Sequence, residues 1–302
     1  NPGRDKVDGT LFLQLLVSGL LIGGVYALIS IGLTMIFGVM RIVNFAHGEF
    51  LMLSMFAAFW LFHFTGLSPY LLAPLVILLL FAYGVAIYVL VIRRTIGSPM
   101  VVQIFATVGL GLFMQNAALV LWSGDFRTIQ TPASTALLRF AGIQVSQSMM
   151  IASLVAIVIA LILFAFMAWT YPGKAIRATV QDRVGAPLVG VHIDRVFMMT
   201  FAIGSALVGI AGALLAPAYP IFPSVGANFG LASFVVVVLG GMGSMTGALL
   251  GGFLIGVVET FSGFFIDAAL KQAVYFLVFI LVLVFRPTGL LGQRGAEEIG
   301  LK

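Results

Sequence analysis

The sequence predicts an all-α fold, a polytopic integral membrane helix bundle of about eight hydrophobic segments, at least one of them broken or re-entrant. Three observations lead there. Of the 302 residues 62% are hydrophobic and only 8% charged, against about 25% charged in an ordinary soluble domain, so there is too little charge to coat a water-exposed surface. Apolar stretches near the roughly 20 residues that span hydrocarbon as a helix occupy 11–37, 45–64, 70–92, 100–122, 148–170, 196–216, 231–258 and 270–285. The chain also holds 35 Gly, above the usual share of about 7%, and helices that pack closely in lipid use small residues.

The same figures exclude several classes. A water-soluble enzyme lacks the surface it needs here, and a disordered chain requires low hydrophobicity. The isoelectric point near 9.7 comes from a net charge of +5, which forms no patch for nucleic acid. A small Lys/Arg excess in a membrane protein reflects its cytoplasmic loops, so membrane lipid is the expected surrounding and no nucleic-acid partner is expected. Cys is absent, which excludes disulfides and thiolate-bound metal.

Taken in order, NPGRDKVDGT (1–10) is a polar tail; its bases are mixed with acids and no cleavage site follows, unlike a secretory signal. One transmembrane domain is expected over 11–292, since the longest polar interval, 123–147, is too short for its own core, and 293–302 is a cytoplasmic tail. Loop 93–99 carries Arg93 and Arg94. Loop 171–195 carries Lys174, Arg177, Arg183 and Arg195, and the C-terminal tail carries Arg286, Arg294 and Lys302. These segments belong in the cytoplasm. Eight simple crossings contradict that placement, because three spans separate loop 171–195 from the tail. The conflict disappears if 231–258 enters and leaves on one side. Its cluster Gly240, Gly241, Gly243 and Ser244 weakens a continuous helix, and it divides the segment into arms each shorter than a span; the other reading is a single Gly-rich packing helix. Whether 41–64 crosses decides the side of the N-terminus, and the sequence leaves that open.

Ionisable groups at membrane depth are functional suspects. Asn44, His47 and Glu49 open the second stretch. They read either as a polar gate or substrate-side constriction, or as a capped helix start in which Asn44 holds orphan N–H groups and Glu49 sits at the positive helix end. His47 and Glu49, two residues apart, do not share a helix face, so no metal site is expected. There is no G-x-S-x-G elbow and no G-x-x-x-x-G-K-[ST] phosphate loop; if ATP drives this protein, another chain binds it. Loop 171–195, YPGKAIRATVQDRVGAPLVGVHIDR, reads as a helical knuckle: an amphipathic turn set from Lys174, a second short helix from Pro187 to about Gly190, and Asp194 capping the next span. Ala186, Leu188, Val189 and Val191 would be exposed unless covered, rimmed by Lys174, Arg177 and Arg183. That is either a docking surface or an ordinary basic inner loop.

Six motifs carry a resemblance. The knuckle is similar to the G-A-x-x-x-G coupling loop of ABC importer permeases. GLTMIFGVMRIVNFAHGE (Gly32–Glu49), GKAIRA (Gly173–Ala178) with QDR (Gln181–Arg183) and GAPLVGV (Gly185–Val191), VVVVLGGMGSMTGALLGG (Val235–Gly252) and RPTGLLG (Arg286–Gly292) resemble, in the expected order from about 11 to 292, bacterial branched-chain amino-acid permeases, in particular the H-type transmembrane subunit of the Leu/Ile/Val importer. The M-type subunit is expected to carry further N-terminal spans, and the polar decapeptide departs from the usual short start. The resemblance implies a multi-pass inner-membrane permease, not itself an enzyme, working by alternating access. Its implied partners are a second homologous permease subunit, two ATP-binding cassette subunits that hold ATP and Mg, and a periplasmic substrate-binding protein; no cofactor is expected in this chain. Coupling to the ATPase is expected at Lys174, Arg177, Arg183, Gly185, Ala186, Leu188 and Gly190, and the translocation path or gate at Asn44, His47, Glu49, Gly240, Gly241, Gly243 and Ser244. Relatives that move urea, short amides or a broader amino-acid set, and a stand-alone secondary carrier, are the alternatives.

Overall fold

The computed structural model describes residues 9–140 and 142–292. The expectations for Arg294, Lys302 and the tail 293–302, and for residues 1–8, lie outside them. The helices are α1 (Gly9–Met40), α2 (His47–Thr65), α3 (Pro69–Thr95), α4 (Met100–Trp122), α5 (Gln147–Trp169), α6 (Tyr171–Gln181), α7 (Ile193–Leu215), α8 (Val225–Gly240), α9 (Met245–Phe265) and α10 (Lys271–Phe285). Seven of them are long and apolar enough to cross a membrane, and α8 and α10 are shorter apolar helices. The expected eight segments therefore become nine apolar helices among the described residues, because 231–258 is two. Gly9 and Thr10, assigned to the polar tail, already belong to α1.

Neighbouring contacts order the bundle. Gly38, near the end of α1, lies against Gly243, and Arg93 at the end of α3 pairs with Asp194 at the start of α7. Leu290 and Leu291 donate backbone N–H groups to the carbonyls of Leu239 and Gly240. One end of the bundle thus gathers Arg41, Arg93, Arg94, Arg183, Arg195 and Arg286, and by the Lys/Arg bias it is the cytoplasmic end. At the other end, the Gln14 side chain in α1 bridges to the backbone of Gln144. Gln144 sits in a hairpin of β1 (Leu137–Phe140) and β2 (Ile143–Ser146) that the sequence reading did not foresee.

This geometry settles the crossing conflict. α8 and α9 form an antiparallel pair whose turn, Gly241–Ser244, lies at the basic end, so 225–265 enters and leaves on the same side. The expected break is present. The arms differ from expectation: α9 runs on through Glu259 to Phe265, 21 residues in all. It can do so because Glu259 is neutralised, accepting from the Tyr26 hydroxyl (2.6 Å) and pairing with Lys271 (2.7 Å). Segment 41–64 also crosses, and the first residues of α1 therefore lie at the end opposite the basic loops.

α1 and α7 form the centre, and glycines set how closely their neighbours approach. Gly19, Gly23 and Ala27 of α1 face Gly252 and Gly256 of α9. A Cβ at Gly19 would fall 2.7 Å from the Val257 Cα, and one at Gly23 2.8 Å from the Phe253 Cα. This spacing of small residues four apart on both helices brings the backbones into direct contact.

The Tyr26–Glu259 bond supplies a stability test. Tyr26→Phe removes one donor from a buried carboxylate that keeps Lys271, a loss of about 1.5–3 kcal/mol. The midpoint of thermal unfolding in detergent should fall accordingly, and an unchanged midpoint would show the bond to be neutral.

Candidate functional site

The knuckle at the cytoplasmic end forms as a sequence of short-range devices. Thr170 caps α6, its hydroxyl accepting from Gly173 N (3.2 Å), with Pro172 in the first turn. α6 buries Gly173, Ala175, Ile176 and Thr179 and exposes Lys174 and Arg177, the two-faced helix the sequence indicated. Arg177 donates to the Ala168 carbonyl at the end of α5 (3.1 Å), a favourable place for a cation. After α6, the Asp182 carboxylate accepts from Val184 N (2.9 Å) and Gly185 N (2.8 Å). This Asx turn was missed; the signal was an Asp two and three residues ahead of the N–H groups it holds. A 3₁₀ turn over Ala186–Val189 follows and ends at Gly190, whose φ of 84° favours glycine.

Side-chain exposure differs from expectation at one end of this turn. Leu188 (86%) and Val189 (76%) stand in the open as foreseen, but Ala186 is 4% exposed. The turn points Ala186 inward, while Val191 is half-buried. Nothing lies within 4 Å of a Cβ built on Gly190. Asp194 does not cap α7. His192 holds that position, and Asp194, in the first turn, accepts from the Tyr88 hydroxyl (2.8 Å) and pairs with Arg93 (3.1 Å). Tyr88 opens a π-helical turn, Tyr88–Ile92, in α3; such turns recur at functional sites. Arg183 lies over the Phe197 ring at 4.5 Å, and burial together with the Arg41 guanidinium pushes its pKa down. Arg41 and Arg183 border a cavity of about 1020 Å³ with Gly97, Ser98 and Met242. The knuckle is thereby tied to α3 and α7 on one side and opens to solvent on the other.

The residues assigned to a gate fall into two places. Gly240, Gly241, Gly243 and Ser244 make the α8–α9 turn: Ser244 caps α9 through Gly247 N (3.1 Å), and Gly241 (φ 103°) packs against Gly289 and Gly292. Asn44, His47 and Glu49 lie elsewhere, where the chain leaves α1 at Arg41 in a left-handed conformation (φ 58°) and climbs back before α2 begins. Asn44 Oδ1 accepts from Ala46 N (3.2 Å) and so holds the loop; α2 has no side-chain cap. The His47 ring meets the Ile29 carbonyl (3.0 Å). With Gly226 and Gly230 of α8, these residues line a cavity of about 290 Å³. Both glycines precede the expected span 231–258 but belong to α8, and their spacing of four places them on one helix face. Among the described residues no cluster of three or more His, Cys, Asp or Glu could hold a metal ion.

Comparison with known proteins aligns with this architecture. The family model described as "branched-chain amino acid transport system / permease component" matches residues 15–283. The chain is 33% identical to the high-affinity branched-chain amino acid transport system permease protein BraD of Pseudomonas aeruginosa, over 95% of this chain and 98% of that one. It is 32% identical to the LivH permease protein of the same name in Escherichia coli, with the same coverage of both chains. It is 24% identical to the LivM permease protein of Escherichia coli, over 88% of this chain and 68% of that one. No solved structure matches.

Proposed function

Because the chain belongs to the family of permease components of branched-chain amino acid transport systems, we propose that it is the transmembrane permease subunit of an ATP-driven importer. It moves branched-chain or related hydrophobic amino acids across the bacterial inner membrane by alternating access. The observation that carries this reading is the knuckle at the basic end, with Leu188 and Val189 exposed on a rigid turn and Gly190 open to whatever lies below. An exposed apolar tip on an otherwise charged face is a docking feature. One of the two ATP-binding subunits, which hold ATP and Mg, docks there, and closure of the pair moves the tip. Asp194 then passes the motion through Arg93 and Tyr88 into α3. A second, related permease completes the pore; similarity to both H-type and M-type proteins supports a pair of unlike chains. A periplasmic binding protein delivers the substrate at the opposite end.

The test is uptake of labelled leucine into proteoliposomes. The chain assembled with the second permease, ATP-binding subunits and binding protein should accumulate leucine only with ATP, and the chain alone should accumulate none. Uptake by the chain alone would make it a secondary carrier. Movement of urea or short amides in place of leucine by the full assembly would move it to the other substrate class.

A further inference from the structure

We propose that the cavity at the start of α2 recognises the zwitterionic head of an apolar α-amino acid, the Glu49 carboxylate taking the ammonium group and the Asn44 amide donating to the substrate carboxylate. This rests on the transport reading above and gives it a site.

The two side chains are buried, Asn44 at 2% and Glu49 at 7% exposure, and each ends in an atom with nothing to bond. Asn44 Nδ2 and Glu49 Oε2 are buried without a hydrogen-bond partner. Asn44 Oδ1 is held by Ala46 N, and the neighbouring His47 ring is held on the Ile29 carbonyl. The ion pairs among the described residues, Arg93–Asp194 and Lys271–Glu259, leave Glu49 out. An orphan carboxyl oxygen and an orphan donor thus line one cavity. Buried polar groups ordinarily find partners, and an ionisable group at membrane depth marks a substrate path by default.

Position agrees with this. His47 meets α1 at Ile29, eleven residues before Met40, which at the helical rise of 1.5 Å per residue is roughly 16 Å above the basic end. That is near the middle of a hydrocarbon layer about 30 Å thick, where interrupted helices place the sites of transporters. Glycines keep the carboxylate reachable: a Cβ at Gly226 would fall 2.9 Å from Glu49 Oε2, and one at Gly111 would lie 3.7 Å from Glu49 Cγ. The remaining wall is largely apolar, from Leu33, Val108, Leu112, Leu231 and Phe234, with Gln115 as a further amide. A carboxyl group, an orphan amide donor and a largely apolar wall match the ammonium, carboxylate and side chain of a hydrophobic amino acid. A neutral amide offers no cation for Glu49.

The experiment uses the assembled importer with its binding protein. Glu49→Gln, which keeps shape and removes charge, should lower the maximal rate of leucine uptake roughly tenfold, equivalent to about 1.4 kcal/mol. Leucine affinity of the isolated binding protein should stay unchanged, and Glu49→Asp should recover part of the rate. Gly111→Val, at a position where a Cβ makes ordinary contact, should slow leucine more than alanine. If the wild-type assembly moves no amino acid, the transport reading fails. If it moves leucine and Glu49→Gln does so at the wild-type rate, the recognition site is overturned with the transport reading intact. If Glu49→Gln does not assemble, an unchanged leucine-to-alanine ratio in Gly111→Val overturns it.

Discussion

Gly190→Trp is expected to leave the permease folded in the membrane and to cut ATP-driven leucine uptake at least roughly tenfold, the factor that about 1.4 kcal/mol of lost docking produces. ATP hydrolysis by the assembled importer should continue. The reasons are local. Gly190 ends the 3₁₀ turn with a φ of 84°, so a bulky residue costs roughly 1–2 kcal/mol of backbone strain there. The turn bears little of the core, and nothing in this chain lies within 4 Å of the new Cβ. An indole would therefore project into the space assigned to the ATP-binding subunit. Gly190→Asn separates the two effects, since Asn tolerates the left-handed region, and it should transport nearly normally. Uptake by the Trp variant at the wild-type rate, with the ATP-binding subunits still bound in pull-down, would remove Gly190 from the coupling surface.

Gly256→Leu is expected to prevent recovery of folded permease. A Cβ at Gly256 would lie 2.5 Å from the Gly23 backbone, and backbone cannot rotate away as a side chain does. Overpacking in a well-filled core costs typically about 1–3 kcal/mol and more when backbones must separate. Here α1 and α9 would part along their whole line of glycines. Gly263→Leu lies on the same helix with nothing within 4 Å and serves as the comparison. Size-exclusion profiles in detergent should show a single symmetrical peak for Gly263→Leu and aggregate or no protein for Gly256→Leu. A normal profile for Gly256→Leu would mean that the α1–α9 contact is looser than the geometry indicates.

Spans were legible because hydropathy over a helix length is a sum, insensitive to any single residue. The break at Gly241–Ser244 was legible for a related reason: four helix-weakening residues fell within five positions, and the Lys/Arg distribution required an even number of crossings. What escaped were features decided by partners remote in sequence. α9 looked short because Glu259 reads as a terminus, yet Tyr26 and Lys271 make that carboxylate tolerable within the bundle. Asp194 has the composition of a cap, but Tyr88 and Arg93, over a hundred residues earlier, claim it. Ala186 was placed outside with its apolar neighbours, and the tight 3₁₀ turn sends it inward. The hairpin at 137–146 lacks a strong alternating pattern and takes its place partly from Gln14. In the candidate site, Asn44, His47 and Glu49 stood out as polar residues in an apolar run, whereas Gly226 and Gly230 did not. A glycine shows what it makes room for only when the facing residue is in place.

The tie between Leu290–Leu291 and the end of α8 also bears on how the protein is made. α8 ends with carbonyl groups that need donors, and those of Leu239 and Gly240 receive theirs from residues some fifty positions further along the chain. During synthesis both helices of the α8–α9 hairpin are translated before that segment exists. The turn therefore stays unfastened until α10 has been made and the segment after it can close over Gly241. Assembly of this end is a late step of biogenesis, and variants in RPTGLLG should act on maturation of the permease, visible in pulse-labelling as a slowly folding nascent form.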